Sequence, residues 1–143
     1  MNLYLDTSAL VKRYIRERGS QEVESWIAGA DLSATSVMAL VEATAAFARA
    51  ARMGGISRNT GERAVEALTH QWGGYVRIPP TQSLISRAAE LAWRFDLRGY
   101  DAVHLASAEA WQSDVGQPIA LVTYDQQLAG AGKRLGLTIW PDG

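Results

Sequence analysis

The stretch Ile119-Ala120-Leu121-Val122-Thr123-Tyr124-Asp125 decides the fold class. Its apolar residues follow one another without polar alternation, which suits a strand buried on both faces of a parallel sheet. The chain opens in the same way, with Asn2-Leu3-Tyr4-Leu5 closed by Asp6-Thr7-Ser8. Shorter strand-like runs stand at 32–35, 75–78 and 137–140, with helical segments between the strands. This alternation predicts an α/β fold whose sheet is covered by helices on both faces.

The helices are read from apolar spacing and stop signals. One is expected from about Ala9 to Arg18, stopped by Gly19, and a short one capped by Ser20 carries Val23, Trp26 and Ile27. Ser36 is expected to cap a long Ala-rich helix that ends at Gly54-Gly55. Ser57 starts a helix ending at Gly73-Gly74, and Thr81 starts one with Leu84, Ala88, Leu91 and Phe95 on one face, ended by Gly99. Asp101 opens a helix to about Ser113, and Asp125 opens a last short one ended by Gly136. With no linker, repeat or low-complexity segment in view, a single domain over 1–143 is expected.

Composition narrows the function classes. At 143 residues, 48% hydrophobic and 20% charged, the chain can bury a core without staples. It has no cysteine, which excludes disulfides, thiolate metal sites and cysteine nucleophiles. Two histidines cannot make a three-His zinc centre. The formal net charge of −1 argues against a basic nucleic-acid coat, although local basic patches are open. No apolar run approaches the roughly 20 residues a membrane span needs. The first residues carry neither a basic region nor a long apolar one, so a cytoplasmic protein with no membrane association is expected.

Most acids, such as Glu17, Glu22, Glu24, Glu62, Glu66 and Glu90, read as solvated helix faces. Four differ. Asp6 ends the first strand, and Asp125 follows the most apolar one. Asp101 opens the apolar run Ala102-Val103-His104-Leu105-Ala106, and Glu42 lies in Val37-Met38-Ala39-Leu40-Val41-Glu42-Ala43. Singly, each aspartate has an ordinary reading as a turn or cap residue. Glu42 is harder to place in that way, because glutamate is seldom set in an apolar helix without a partner. Together they gain weight, since ligand sites of open parallel sheets form at the carboxyl ends of the strands. Clustered carboxylates repel and call for a cation. With oxygen donors and no nitrogen or sulfur set, Mg²⁺ or Mn²⁺ fits and zinc does not. Such a site favours metal-assisted phosphodiester cleavage.

The residues also resemble a known family. Met1-Asn2-Leu3-Tyr4-Leu5-Asp6-Thr7-Ser8-Ala9-Leu10-Val11-Lys12 is similar to the opening of a PIN-domain ribonuclease, more narrowly of the VapC-like toxin of a VapBC-type toxin–antitoxin pair. The segment from Ala34-Thr35-Ser36 through Glu42 to Arg52-Met53-Gly54-Gly55-Ile56-Ser57 resembles that family's second segment. Leu97-Arg98-Gly99-Tyr100-Asp101-Ala102-Val103-His104-Leu105-Ala106-Ser107-Ala108 is the most specific match, and Thr123-Tyr124-Asp125-Gln126-Gln127-Leu128 resembles the closing acidic motif. The resemblance runs from end to end. It implies a three-layer α/β/α sandwich with a central, mainly parallel sheet. It implies a Mg²⁺- or Mn²⁺-dependent endoribonuclease acting on RNA, with Asp6, Glu42, Asp101 and Asp125 as metal-binding and catalytic acids. It further implies a cognate antitoxin and a homodimer. Ser8 and Thr123 match small hydroxyl positions beside the family's metal site; their ordinary readings are a helix cap and a strand end.

Other residues carry weaker signals. His104 follows Asp101 by three positions and so shares its helix face, but its simpler reading is a buried, hydrogen-bonded structural histidine. His70 reads as a surface residue. Lys12, Arg13, Arg16 and Arg18, and Arg49, Arg52, Arg58 and Arg63, form two basic groups that could hold RNA phosphates; solvated helix faces explain them equally well. Trp26 reads as core, or as a contact for a dimer or an antitoxin.

Three rival classes are weighed. An aspartyl-phosphate phosphatase wants a second Asp two residues after Asp6, where Ser8 stands. A receiver-like phospho-acceptor wants adjacent acids near the first strand and a lysine after a late one, and Lys133 lies in a helical stretch. The third is a catalytically silent PIN-like module that binds RNA or a protein partner.

Overall fold

β1 (Asn2–Leu5) is the middle strand of a five-stranded, all-parallel sheet of order β3-β2-β1-β4-β5. The structure, a computed structural model, describes residues 1–142. The other strands are β2 (Ser33–Ser36), β3 (Val76–Ile78), β4 (Ile119–Val122) and β5 (Thr138–Trp140). Seven α-helices of the described residues connect them: α1 (Thr7–Tyr14), α2 (Ser20–Gly29), α3 (Ala39–Arg52), α4 (Arg58–Gln71), α5 (Gln82–Phe95), α6 (Gly99–Val115) and α7 (Gln126–Arg134).

The pleat explains why β1 and β4 are apolar throughout. Successive side chains point to opposite faces, and both faces are covered. Leu3, Leu5, Ala120 and Val122 pack with Leu10, Phe47 and Leu68 under α1–α4. Tyr4, Ile119 and Leu121 pack with Leu91, Leu105 and Leu128 under α5–α7. This is the expected three-layer α/β/α sandwich. Each such leucine, fully buried, contributes about 1.5–3 kcal/mol.

The strand order places the site. From β1 the chain builds outward to β2 and β3 on one side, and then to β4 and β5 on the other. The turnover between β1 and β4 is a topological switch point, where a crevice opens beyond the carboxyl ends of the strands. Leu5 pairs with Val122 in register, so Asp6 and Thr123 emerge side by side.

Several helix ends differ from the sequence reading. α1 stops at Tyr14 rather than Arg18, because Ile15 turns extended and buries its side chain, and the Ser20 hydroxyl bonds Ile15 O and Glu17 N. Gly19, at φ 92°, takes the cap position assigned to Ser20. Ser36 ends β2 and its hydroxyl accepts from Met38 N at 3.2 Å, so α3 begins later and Glu42 lies in its first turn. Asp96, at φ 54°, ends α5, and Gly99 begins α6. In each case a contact from elsewhere in the fold or a backbone reversal overrides the local stop signal. Trp26 is partly buried, its ring 5.4 Å from that of Trp140. No helix of the described residues is long and apolar enough to cross a membrane.

Candidate active site

Asp6 is the centre of the site. It is 2% exposed, directly after β1, and it caps α1 by accepting from Ala9 N at 2.9 Å. Ser8 donates to the same carboxylate oxygen at 2.7 Å, and Thr123 donates to the other at 2.5 Å. Burial pushes the Asp6 carboxyl above its ordinary value; His104 and the Thr123, Ser8 and Ala9 bonds pull the other way and do not fully compensate. The two hydroxyls do more than hold Asp6. Ser8 Oγ accepts from Tyr124 N at 3.0 Å, and Thr123 Oγ1 accepts from Asp125 N at 3.1 Å. Both therefore stitch the end of β1 to the loop after β4.

Asp125 caps α7 through Leu128 N at 2.9 Å. Its other oxygen accepts from Arg98 Nη2 at 3.0 Å, while Arg98 Nε reaches Asp101 at 3.0 Å. One guanidinium thus bridges two of the acids. Its side chain is 77% exposed, so the bridge is a surface one and cheap to break. Asp6, Thr123, Asp125, Arg98 and Asp101 form one continuous hydrogen-bonded chain across the crevice.

Glu42 is joined to the neighbours of these acids. Its Oε1 accepts from Thr7 Oγ1 at 2.7 Å and contacts His104 Nε2 at 2.8 Å. His104 Nδ1 lies 2.9 Å from the Tyr4 hydroxyl. Burial raises the Glu42 carboxyl, but the His104 bond and field and the Thr7 bond outweigh it and hold the group below its ordinary value. An ionised Glu42 can only accept, so His104 Nε2 carries a proton toward it. Tyr4, His104 and Glu42 thus form one hydrogen-bonded relay. Among the described residues no buried side-chain nitrogen or oxygen lacks a partner.

His104 is buried and hydrogen-bonded, as its simpler reading had it. Sequence reasoning gave no role to Thr7 or Arg98. The available signals were slight: Thr7 adjoins Asp6, and Arg98 precedes Asp101 by three residues, a spacing that pairs side chains on a helix. Of the basic groups, Lys12 pairs with Glu17, Arg16 with Glu24 and Arg58 with Glu62.

The donor chemistry is all carboxylate oxygen, which fits a hard divalent cation. Among the described residues, however, no group of three or more acids or imidazoles stands arranged to hold a metal ion. Arg98 supplies the positive charge between Asp101 and Asp125.

Comparison with known proteins bears on the family and the fold. The PIN domain family matches residues 3–133. Ribonuclease VapC45 of Mycobacterium tuberculosis (strain CDC 1551 / Oshkosh) is 32% identical over 140 residues, covering 97% of this chain and 94% of that protein. The crystal structure of Mycobacterium tuberculosis VapC20, described as a Sarcin-Ricin loop cleaving toxin, superposes with TM-score 0.66 at 18% identity, over 91% of this chain and 95% of that one. VapBC2 from Rickettsia felis, bound to a DNA fragment from their promoter, gives TM-score 0.65 at 16% identity over 97% of each chain. At such identities the structural likenesses establish the fold alone. The family match and the 32% identity over nearly the whole length establish descent: the chain belongs to the PIN-domain family, in its VapC-like branch.

Proposed function

We propose that this chain is a Mg²⁺- or Mn²⁺-dependent endoribonuclease, the toxin of a type II toxin–antitoxin pair. The observation that carries the reading is the row of acids at the β1/β4 switch point, with Asp6 buried and Asp101 and Asp125 so short of positive charge that one arginine serves both. The relative named a ribonuclease and the neighbour described as a Sarcin-Ricin loop cleaving toxin support the reaction class.

Asp6, Asp101, Asp125 and Glu42 would hold the ion, which when bound activates water and neutralises charge on the scissile phosphate. The chain's own groups do the rest. Thr123 and Ser8 hold the Asp6 carboxylate in place, and His104 and Thr7 hold Glu42 through Oε1, leaving Oε2 without a protein partner among the described residues. Arg98 leaves its two acids and turns to the substrate phosphate. The attacking water gives its proton to a carboxylate of this set. Its oxygen bonds phosphorus in line with the P–O3′ bond that breaks, leaving a 5′-phosphate and a 3′-hydroxyl.

A protein partner is part of the reading. Ile85 of α5 and Tyr100 of α6, 42% and 51% exposed, line an apolar cleft of about 340 Å³. Such a face suits an antitoxin or a second copy of the chain. The neighbours described as toxin–antitoxin assemblies support an antitoxin.

The test is cleavage of RNA by the purified chain in Mg²⁺ and in EDTA. Asp6→Asn and Asp101→Asn are expected to abolish cleavage. Full activity in both variants, or wild-type cleavage undiminished by EDTA, overturns the reading. A wild-type chain that binds Mg²⁺ but cuts no RNA points to the silent binding module.

A further inference from the structure

The largest cleft described lies away from the acids, at the amino-terminal edge of the sheet. It encloses about 560 Å³, within the roughly 300–1,000 Å³ typical of small-molecule sites. Its walls include the chain entering β2 and β3, at Leu32-Ser33 and Gly74-Tyr75. α1 carries Arg13 there, seven residues and roughly 10 Å of helix beyond Asp6.

Arg13 is unusual among the chain's cations. It is partly buried, and its partners among the described residues are aromatic. Nη1 donates to the Tyr75 hydroxyl at 2.6 Å, and the guanidinium lies 5.8 Å and 5.7 Å from the ring centroids of Tyr14 and Tyr75. No carboxylate of the described residues stands in ion-pair range of it. Asp31, the one acid lining the cleft, is taken by the Met1 ammonium at 2.9 Å.

The hydrogen-bond directions around Arg13 are determined. The Tyr14 hydroxyl donates to Gln71 Oε1 at 2.8 Å, so the 2.6 Å contact between Tyr14 and Tyr75 hydroxyls is donated by Tyr75. The Tyr75 oxygen then accepts from Arg13. The relay fixes the arginine and consumes one of the five N–H donors of its guanidinium. It also consumes the Gln71 acceptor, leaving that side chain its NH₂ donors. The cleft is thus lined by a preorganised surplus of donors, with His70 beside them and Ile27 and Leu32 as an apolar wall.

We infer that this cleft is a second binding site, remote from the acids, for the phosphate group of a nucleotide, with Arg13 as the anion-binding residue. A phosphate accepts two parallel N–H bonds from a guanidinium, which matches the unused edge of Arg13. The apolar wall takes the ribose or base. The nucleotide is either free or a unit of an RNA chain.

The experiment is an amide ¹⁵N–¹H titration of the metal-free full chain in EDTA, with AMP in one arm and an RNA decamer in the other. AMP shifting His70, Gln71 and Gly74 identifies a free-nucleotide site, and shifts with RNA alone identify a backbone contact; either result supports the inference. Arg13→Gln is expected to weaken binding at least tenfold, with Arg13→Lys between it and wild type. Gln71→Ala, at the exposed end of α4, should weaken binding as well and covers the case in which Arg13→Gln is unfolded. Asp6→Asn should leave this binding unchanged, which separates it from the proposed cleavage. The inference is overturned if neither ligand shifts these amides, or if a folded Arg13→Gln or Gln71→Ala variant binds like wild type.

Discussion

The Thr123 hydroxyl donates to the buried Asp6 carboxylate at 2.5 Å, across 117 positions of sequence. That bond exists because β1 and β4 are parallel neighbours in register, so the residues following them leave the sheet together. It converts a strand order into a chemical site.

Asp6 gives a pH prediction. Its carboxyl is raised above the ordinary 3.8 by burial. Below the unfolded value the group is protonated in both states and costs nothing. As pH rises through the unfolded and then the folded value, the unfolded chain releases its proton more readily, and stability is lost. Asp6→Asn should therefore stabilise the metal-free protein near neutral pH. The gain should shrink as pH falls toward 4. Urea unfolding in EDTA at pH 5 and pH 7.5 measures it; a variant less stable than wild type at pH 7.5 contradicts the prediction.

Arg98 gives a metal prediction. Its guanidinium occupies Asp101 and Asp125, and a divalent ion must compete with it. Arg98→Gln should bind Mn²⁺ several-fold more tightly by calorimetry, because the competing charge is gone. The fold should change little, since the bridge is exposed. Unchanged or weaker Mn²⁺ binding would show that Arg98 does not guard the acids.

His104 gives a coupling prediction. It lowers the Glu42 carboxyl, and its Nδ1 lies 2.9 Å from the buried Tyr4 hydroxyl. His104→Ala should raise the Glu42 pKa, read from side-chain carboxyl shifts. It should also cost about 2–4 kcal/mol, from the lost Tyr4 and Glu42 contacts and a cavity. Tyr4→Phe removes the phenol itself and should cost less.

Gly132 gives a packing prediction with no link to chemistry. A Cβ there would stand 2.6 Å from Ile139 Cδ1 and 3.2 Å from Leu121 Cδ2. Gly132→Ala should destabilise by about 1–3 kcal/mol through overpacking of α7 against the sheet. Thermal melts test it, and a variant as stable as wild type would mean that Ile139 repacks freely.

The sequence by itself determined the layer order and the strand positions. Unbroken apolar runs such as Ile119–Val122 are stable only between two covering layers, and that constraint is local and legible. It also placed Asp6 and Asp125 at strand ends, where a parallel sheet opens its crevice. Tertiary structure alone decided which groups meet there. The bonds from Glu42 to His104 and from Arg98 to Asp125 span 62 and 27 positions. Propensity and periodicity act over a few residues and carry no record of such partners. The early end of α1 has the same cause: Ile15 leaves the helix to fill the core, a gain in burial that exceeds the local preference to continue.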